Sequence, residues 1–219
     1  MRARGGNLAR TRSAVSAITL LGLASACASS NGPTPSRIER EPDGDFTITQ
    51  EVRVGASVRS DFEAAVQLLE RGENQGGIEK LLAVTEAAPQ LASAHINLGI
   101  AYRRQEDWAH AEASVERALE ASPRHPVALN ELGIVLRRQG RFDEARASYE
   151  RALEVAPDFH YARRNLAILC DLFLGDLGCA IENYQRYAQD FPEDETLAMW
   201  IADLRSRAAS QPTGATGER

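Results

Sequence analysis

The sequence predicts an all-α fold, an α-solenoid of four helical hairpins closed by a capping helix. The first observation is that "INLGIAYRRQEDWAHAEASVERALEASP" (residues 96–123) matches "NELGIVLRRQGRFDEARASYERALEVAP" (residues 130–157) at 15 of 28 positions. The two stretches begin 34 residues apart, at residues 96 and 130, and the same repeat interval separates three prolines, Pro89, Pro123 and Pro157. A fourth, Pro192, follows one residue late. Apolar residues recur at helical spacing in two blocks per interval, so each unit is predicted to be a pair of antiparallel helices.

Alignment on the prolines, which end helices, gives four units, at residues 58–91, 92–125, 126–159 and 160–194. Antiparallel helices approach closely only where the side chains between them are small. The predicted crossing points are therefore Gly99 against Ala111 in unit two and Gly133 against Ala145 in unit three. The additional residue of unit four is placed in the turn "LGDLGC", residues 174–179.

The spacing and these residues resemble the tetratricopeptide repeat, an antiparallel helix pair of about 34 residues. Units two and three match its pattern well. Unit one has Ala64-Ala65 and Gly77 where Leu-Gly and Ala are usual, and unit four has Leu166-Ala167 in place of Leu-Gly. The resemblance covers about 137 of the 219 residues. It implies a right-handed solenoid in which stacked units bury a shared core.

The end of such an array needs a cap, because the last unit would otherwise expose an apolar edge. Residues 195–208 are predicted to form this capping helix, with one apolar face made by Leu197, Trp200, Ile201 and Leu204. Residues 209–219 carry no helical pattern and are predicted to be disordered.

The N-terminus has the pattern of an export signal. Residues 1–12 are basic, and the apolar run that follows is confined to residues 13–26. This run is shorter than the about 20 residues that a membrane-spanning helix requires. Residues 1–26 are therefore predicted to be a signal peptide.

Cys27 directly follows Ala24-Ser25-Ala26 and resembles the lipidated cysteine of bacterial lipoproteins, although Ala24 stands where Leu is usual. The resemblance implies a lipid anchor at Cys27. Because Ala28 rather than Asp follows the cysteine, it also implies an outer-membrane lipoprotein that faces the periplasm. The alternative is cleavage after Ala26 without lipidation, which would release a periplasmic protein with a free thiol.

Residues 28–44 combine Pro, Gly, Ser and charged residues without an apolar period, which predicts a flexible tether. In residues 46–54, apolar and polar residues alternate except at Gln50, which predicts one short extended strand. Three outcomes stay open for this strand: it packs on the domain, pairs with another molecule, or stays loose.

The composition argues against nucleic-acid binding. The formal net charge is -6, and residues 1–26 contribute four Arg and no acid, so the remaining 21 basic and 31 acidic residues carry -10. Binding to phosphates requires a surplus of positive charge. No phosphate-binding loop, H-E-x-x-H or G-x-S-x-G motif occurs. We therefore predict a protein that is not an enzyme and has no metal or cofactor, including at the four histidines, His95, His110, His125 and His160.

Cys170 and Cys179 fall near the end of the first helix and the start of the second helix of unit four. A disulfide across this short turn is geometrically possible and would suit an exported protein. Two buried thiols at small-residue positions are the alternative.

In tetratricopeptide repeats, fixed positions of the first helix of each unit line a concave groove. The resemblance therefore implies a partner-binding groove formed by Ile96, Ile100, Arg103, Arg104, Val127, Asn130, Ile134, Arg137, Arg138, Tyr161, Arg164 and Ile168. Isoleucines flanked by arginines suit an extended or helical peptide that is apolar and carries acidic residues. The Lys and Asn pattern with which some relatives bind a C-terminal carboxylate is absent. The alternative is that neighbouring side chains shield the isoleucines and that the arginines are only hydrated.

These features predict a membrane-anchored periplasmic scaffold for protein–protein interaction in a cell-envelope assembly, such as pilus, secretion or cell-wall machinery. Lipoproteins of this general type act as pilotins for pilus secretins or as adaptors for cell-wall enzymes. Two alternatives are an accessory protein that binds a small cell-wall ligand in a closed polar pocket, and a structural protein that associates with itself end to end.

Overall fold

The computed structural model describes residues 36–40, 46–50 and 52–210. Within these residues, a short β-hairpin precedes nine helices. The helices form four antiparallel pairs and a final single helix: α1 (Ala56–Glu70) and α2 (Asn74–Ala87), α3 (Ala92–Arg104) and α4 (Trp108–Ala121), α5 (Pro126–Arg138) and α6 (Phe142–Val155), α7 (His160–Leu169) and α8 (Leu177–Asp190), and α9 (Glu195–Ser210). The all-α solenoid predicted from the repeats is confirmed.

Several predictions fall outside the residues that the structure describes. They are the signal peptide at residues 1–26, the lipid anchor at Cys27, the first part of the tether up to residue 35, and the tail from residue 211 onward.

The extended segment at residues 46–54 has a partner strand within the same chain, which is none of the three predicted outcomes. Strand β1 (Ser36–Arg40) pairs antiparallel with β2 (Phe46–Gln50), and Ile38 lies opposite Ile48 in the register. The flexible tether predicted for residues 28–44 is therefore wrong at residues 36–40. The sequence between the strands, "EPDGD", contains the Asp-Gly pair that favours hairpin turns. The end of the segment packs on the helices, because Val52 is buried in the apolar cluster of unit one.

Glycines allow the two helices of a pair to touch. A Cβ atom added at Gly99 would lie 2.5 Å from Cγ2 of Val115, and one added at Gly133 would lie 2.5 Å from Cε1 of Tyr149. In unit one the glycine is on the second helix instead, where a Cβ at Gly77 would lie 2.5 Å from Cδ2 of Leu69. Each of these three pairs therefore closes around one position that has no room for a side chain.

The turn inside each pair contains a residue with positive φ: Gly72, Glu106, Gly140 and Gly175. The first three are evenly spaced at the repeat interval, but Gly175 comes one residue late. The additional residue of unit four therefore precedes Gly175 and lies in a π-helical turn, Cys170–Leu174, that extends α7. This corrects its predicted place in "LGDLGC". A π-helical turn accommodates the extra residue because its hydrogen bonds span five residues instead of four.

The sulfur atoms of Cys170 and Cys179 form a disulfide that joins the start of the π-turn to the first turn of α8. Cys170 is fully buried. Asp176 caps α8, since its carboxylate accepts a hydrogen bond from the Cys179 backbone N–H at 3.0 Å. The π-turn is thus held at its beginning by a covalent bond and just beyond its end by a helix cap.

Helix α9 closes the array against α8. Leu197, Ile201 and Leu204 are buried in the apolar cluster that also contains Tyr184 of α8. The fourth residue of the predicted face, Trp200, is 44% exposed, with its ring centroid 5.9 Å from that of Tyr184. The helix extends to Ser210, two residues beyond its predicted end.

No helix in the described part of the chain is long and apolar enough to cross a membrane.

We expect Gly133→Ala to lower the free energy of unfolding by about 1–3 kcal/mol, because the new methyl group would overlap a buried ring that has no space to move into. Gly76→Ala is the matched control, since the nearest atom to a Cβ there would be Leu68 Cδ1 at 3.6 Å. Replacement of a helical glycine without a clash should stabilise the protein by about 0.5–1 kcal/mol. Urea denaturation measures both changes, and equal effects of the two variants would contradict the close approach at Gly133.

We expect alkylation of the denatured, unreduced protein to leave both cysteines of the tryptic peptide 165–186 unmodified, because Cys170 and Cys179 are joined. The same treatment after reduction should label both. Reduction should also lower the free energy of unfolding by about 2–4 kcal/mol, since it frees the unfolded chain from a closed loop. Mass spectrometry of the peptide is the measurement, and labelling of both thiols without reductant would exclude the disulfide.

Candidate partner-binding pocket

The first helices of successive units lie side by side, with α3 in contact with α1 and α5, and α5 in contact with α7. This arrangement brings equivalent positions of neighbouring units together. The last turns of α3 and α5 each carry an arginine pair, Arg103-Arg104 and Arg137-Arg138. The partial negative charge at a helix C-terminus favours cations there.

The two arginine pairs converge on one pocket with a volume of about 270 Å³, which we call the arginine pocket. It is lined by Arg103, Arg104, Glu106, Trp108, Ile134, Arg137 and Arg138. Four cationic side chains and one acidic side chain give this surface a net positive charge, although the chain as a whole carries -6.

One of the four arginines is neutralised within the fold. Nε of Arg103 donates a hydrogen bond to Oε2 of Glu131 at 2.8 Å, and the Glu131 carboxylate is buried. Burial raises the pKa of Glu131, while the Arg103 guanidinium acts in the opposite direction by stabilising the charged carboxylate. This pair links α3 to α5 and leaves three arginines for other interactions.

The other three arginines are positioned by contacts other than ion pairs, although the Glu131 carboxylate also attracts Arg104 at longer range. Nη1 of Arg104 donates to the backbone oxygen of Leu69 at 3.1 Å. The guanidinium carbon of Arg138 lies 5.3 Å from the ring centroid of Trp108, within the range of cation–π attraction. Arg137 lies 5.6 Å from the ring centroid of Phe173. The described residues include no carboxylate that forms an ion pair with any of the three.

Arg137 also lies beside a buried phenol. The Tyr149 hydroxyl and Nε of Arg137 are both buried, and the Arg137 side chain interacts with the phenol. Burial raises the pKa of Tyr149 to about 12, against the opposing charge of Arg137, so the phenol stays neutral. It therefore does not neutralise the pocket.

Three residues of the predicted groove belong to the interior instead. Ile96 and Ile100 are only 4% and 8% exposed, in an apolar cluster with Val115. Asn130 is 5% exposed, and its Oδ1 accepts a hydrogen bond from Nδ2 of Asn165 at 2.9 Å, which links α5 to α7. The prediction that Ile96, Ile100 and Asn130 line the groove is therefore wrong, because the close helix crossings place these side chains in the core.

The remaining groove residues either line the arginine pocket or lie outside it. Ile134 is half-buried and lines the arginine pocket. Val127 and Ile168 are half-buried against core clusters, and Tyr161 and Arg164 are exposed outside the pocket. The pocket therefore brings together five of the twelve predicted residues, namely Arg103, Arg104, Ile134, Arg137 and Arg138.

Two pocket residues, Glu106 and Trp108, are not among those predicted from the sequence, because they lie on the turn and the second helix rather than on the first helix. A signal for Trp108 was present, because an aromatic residue, Phe142, stands at the equivalent place in unit three. Trp108 and Phe142 each begin the second helix of their unit.

One group of described residues has ligand atoms close enough together to hold a metal ion, namely Cys170, Asp176 and Cys179. The two sulfur atoms are bonded to each other, so neither is a thiolate ligand in this structure. Of the histidines, His125 is buried at the start of α5, and burial lowers its pKa to about 4, which keeps it neutral.

The comparisons with known proteins support the repeat assignment. The family model of the tetratricopeptide repeat matches residues 92–125 and 126–159. A fragment of MamA from Desulfovibrio magneticus RS-1 superposes with a TM-score of 0.63 and 20% identity, over 72% of this chain and 88% of that chain. Pseudomonas aeruginosa PilF gives a TM-score of 0.63 and 21% identity, over 70% and 69% of the two chains. No curated protein matches the sequence.

A third similar structure is the first tetratricopeptide domain of Spaghetti (RPAP3) bound to the HSP90 peptide SRMEEVD, with a TM-score of 0.53 and 21% identity over 56% of this chain and 98% of that chain. At these identities the structural matches establish the fold, and the family model identifies the repeated unit. The resemblance stated from the sequence is therefore confirmed: the chain carries tetratricopeptide repeats at residues 92–125 and 126–159 and folds as a tetratricopeptide-repeat solenoid.

Proposed function

We propose that this protein is a membrane-anchored periplasmic scaffold for a cell-envelope assembly, and that it captures a partner protein by an acidic segment bound in the arginine pocket. The general role, protein–protein interaction, follows from the tetratricopeptide-repeat fold. The observation that carries the proposal is the set of three arginines without a carboxylate partner among the described residues, Arg104, Arg137 and Arg138.

The chemistry of the pocket favours carboxylates of a protein segment. A guanidinium group binds a carboxylate through paired, charge-assisted hydrogen bonds. The volume of about 270 Å³ lies below the roughly 300–1,000 Å³ of pockets that enclose small molecules. A segment that lays acidic side chains across α3 and α5 fits this shape. The HSP90 peptide bound by the RPAP3 domain, with its two adjacent Glu, is an acidic segment bound to a protein of this fold.

The envelope location rests on the N-terminal sequence. An export signal followed by Cys27 would place the helical domain outside the cytoplasm and attach it to a membrane by lipid. The disulfide between Cys170 and Cys179 is consistent with an oxidising compartment. A lipid anchor would supply the membrane attachment that no described helix provides.

We expect Arg104→Glu combined with Arg138→Glu to weaken partner capture by about tenfold or more at low salt, because two attractive charges become repulsive. The loss should be smaller at high salt, which screens exposed charges. Crosslinking in cells from a photoreactive side chain at Ile134, followed by mass spectrometry, identifies the captured protein. Pull-down of that protein in buffers of low and high salt then measures capture.

The matched control is Arg124→Glu with Arg151→Glu, since both arginines are exposed outside the pocket and the change in net charge is the same. Circular dichroism checks that each variant is folded. A folded pocket variant that captures the same proteins as the control, with the same salt dependence, would show that the arginine pocket is not the binding site.

We expect Cys27→Ala to move the protein from the membrane fraction to the soluble periplasmic fraction, because the acylated thiol would be lost. Ser30→Ala, close by in the same segment, is the control and should remain at the membrane. Cell fractionation followed by immunoblotting measures the distribution. Continued membrane association of the Cys27 variant would rule out lipid anchoring at this residue.

A further inference from the structure

A contact between neighbouring units recurs along the array. The first residue of α4 is Trp108, and the first residue of α6, one repeat later, is Phe142. Each of these rings is covered by a side chain from the end of the next unit's first helix. Arg138 lies over Trp108 at 5.3 Å, and the Phe173 ring centroid lies 5.0 Å from that of Phe142.

The π-turn decides which residue makes the second of these contacts. Leu172 is the residue one repeat interval after Arg138, but the additional residue in Cys170–Leu174 advances the contact to Phe173. As a result, the side chain that covers the ring of the preceding unit is cationic in unit three, where it is Arg138, and aromatic in unit four, where it is Phe173. Leu172 is left 68% exposed, and Phe173 is 43% exposed. We call these two residues the apolar shelf.

The apolar shelf adjoins the arginine pocket through one shared residue. Arg137 lines the pocket and also lies over the Phe173 ring, with its guanidinium carbon 5.6 Å from the ring centroid. A segment bound in the pocket therefore meets an apolar surface as it leaves the pocket toward unit four.

Three interactions fix the backbone of the turn that carries the apolar shelf: a disulfide, a backbone hydrogen bond and an ion pair. The disulfide holds Cys170, whose carbonyl oxygen also accepts a hydrogen bond from the Asp176 backbone N–H at 2.9 Å. Asp171 forms an ion pair with Arg207 of α9 at 2.9 Å. Packing on Phe142 accounts for part of the Phe173 ring, but the rest of this ring and most of Leu172 form a contiguous exposed apolar surface, and such surfaces mark interaction sites.

We propose that the apolar shelf is a second part of the same binding surface, so that the partner's segment carries an apolar side chain next to its acidic residues. This inference rests on the proposed function of the arginine pocket. The carboxylates fit the arginines that have no ion-pair partner among the described residues, and the apolar side chain covers Leu172 and Phe173. Buried apolar contacts supply most of the affinity at such surfaces, whereas exposed charges set association rate and specificity. The shelf thus takes the role that the buried Ile96 and Ile100 cannot perform.

Three fluorescein-labelled peptides test the proposal by fluorescence anisotropy with the full chain. The first is a Gly/Ser peptide with a block of three Glu, and the other two add one Phe either three residues before or three residues after that block. We expect one of the Phe peptides to bind about five- to tenfold more tightly than the acidic peptide. This gain, measured as the ratio of the Phe-peptide affinity to the acidic-peptide affinity in the same variant, should disappear in Leu172→Ser combined with Phe173→Ser.

Two further variants keep the test decisive. Leu172→Ser alone changes a side chain that is 68% exposed and should reduce the gain without affecting folding. Met199→Ser, at another exposed apolar residue, should keep the full gain.

The outcomes separate this inference from the proposed function. If neither Phe peptide gains affinity, or if the gain persists in the shelf variants, the shelf is not part of the site, while the arginine pocket is unaffected. If the acidic peptide binds equally well to Arg104→Glu with Arg138→Glu, the pocket proposal fails. If no peptide binds, both proposals fail.

Discussion

The close approach of the two helices in each pair is the constraint on which the rest of the structure depends. At Gly99 and Gly133 the facing helix occupies the space in which a Cβ atom would stand, with side-chain carbons 2.5 Å from that point. Because the pairs close there, the larger side chains of the first helices, such as Ile96, pack into the shared core. The first helices then lie side by side, and their C-terminal arginine pairs meet in one pocket.

The electrostatics of the pocket follow from this geometry. Some other surface arginines are paired with acids, as in Arg141 with Glu112 and Glu144. Buried Glu131 on α5 forms an ion pair with Arg103 on α3. Removal of one partner from a buried ion pair is destabilising, because the remaining charge is then buried without a partner and without hydration. Arg103 is therefore a structural part of the pocket. The cations available to a ligand are those that rest on aromatic rings or on a backbone carbonyl, because these contacts position a guanidinium group without neutralising it.

Unit four shows how one residue changes the chemistry of a repeat without changing its fold. The π-turn Cys170–Leu174 absorbs the additional residue inside the helix, and the disulfide and the Asp176 cap restore the start of α8. The position that presents Arg138 in unit three presents Phe173 in unit four. The proposed binding surface therefore changes along the array, from cationic at α3 and α5 to apolar after α7.

The sequence by itself determined the repeat, the helix pairs, the glycines at the crossings of units two and three, and the capping helix, because each of these depends on local spacing and most of them recur from unit to unit. It also indicated the arginine pairs, since they occupy equivalent positions of two units. It did not determine that Tyr149, rather than the predicted Ala145, provides the atoms nearest to Gly133. Only the tertiary structure decided which residues remain accessible. Ile100 and Ile134 are equivalent in sequence, yet Ile100 is buried and Ile134 lines the pocket, because burial depends on neighbours from other helices. The roles of Trp108 and Phe173 arise between units, where a shift of one residue in the π-turn selects the side chain that makes the contact. Pairing of β1 with β2 likewise depends on a partner strand, which a pattern along a single segment does not reveal.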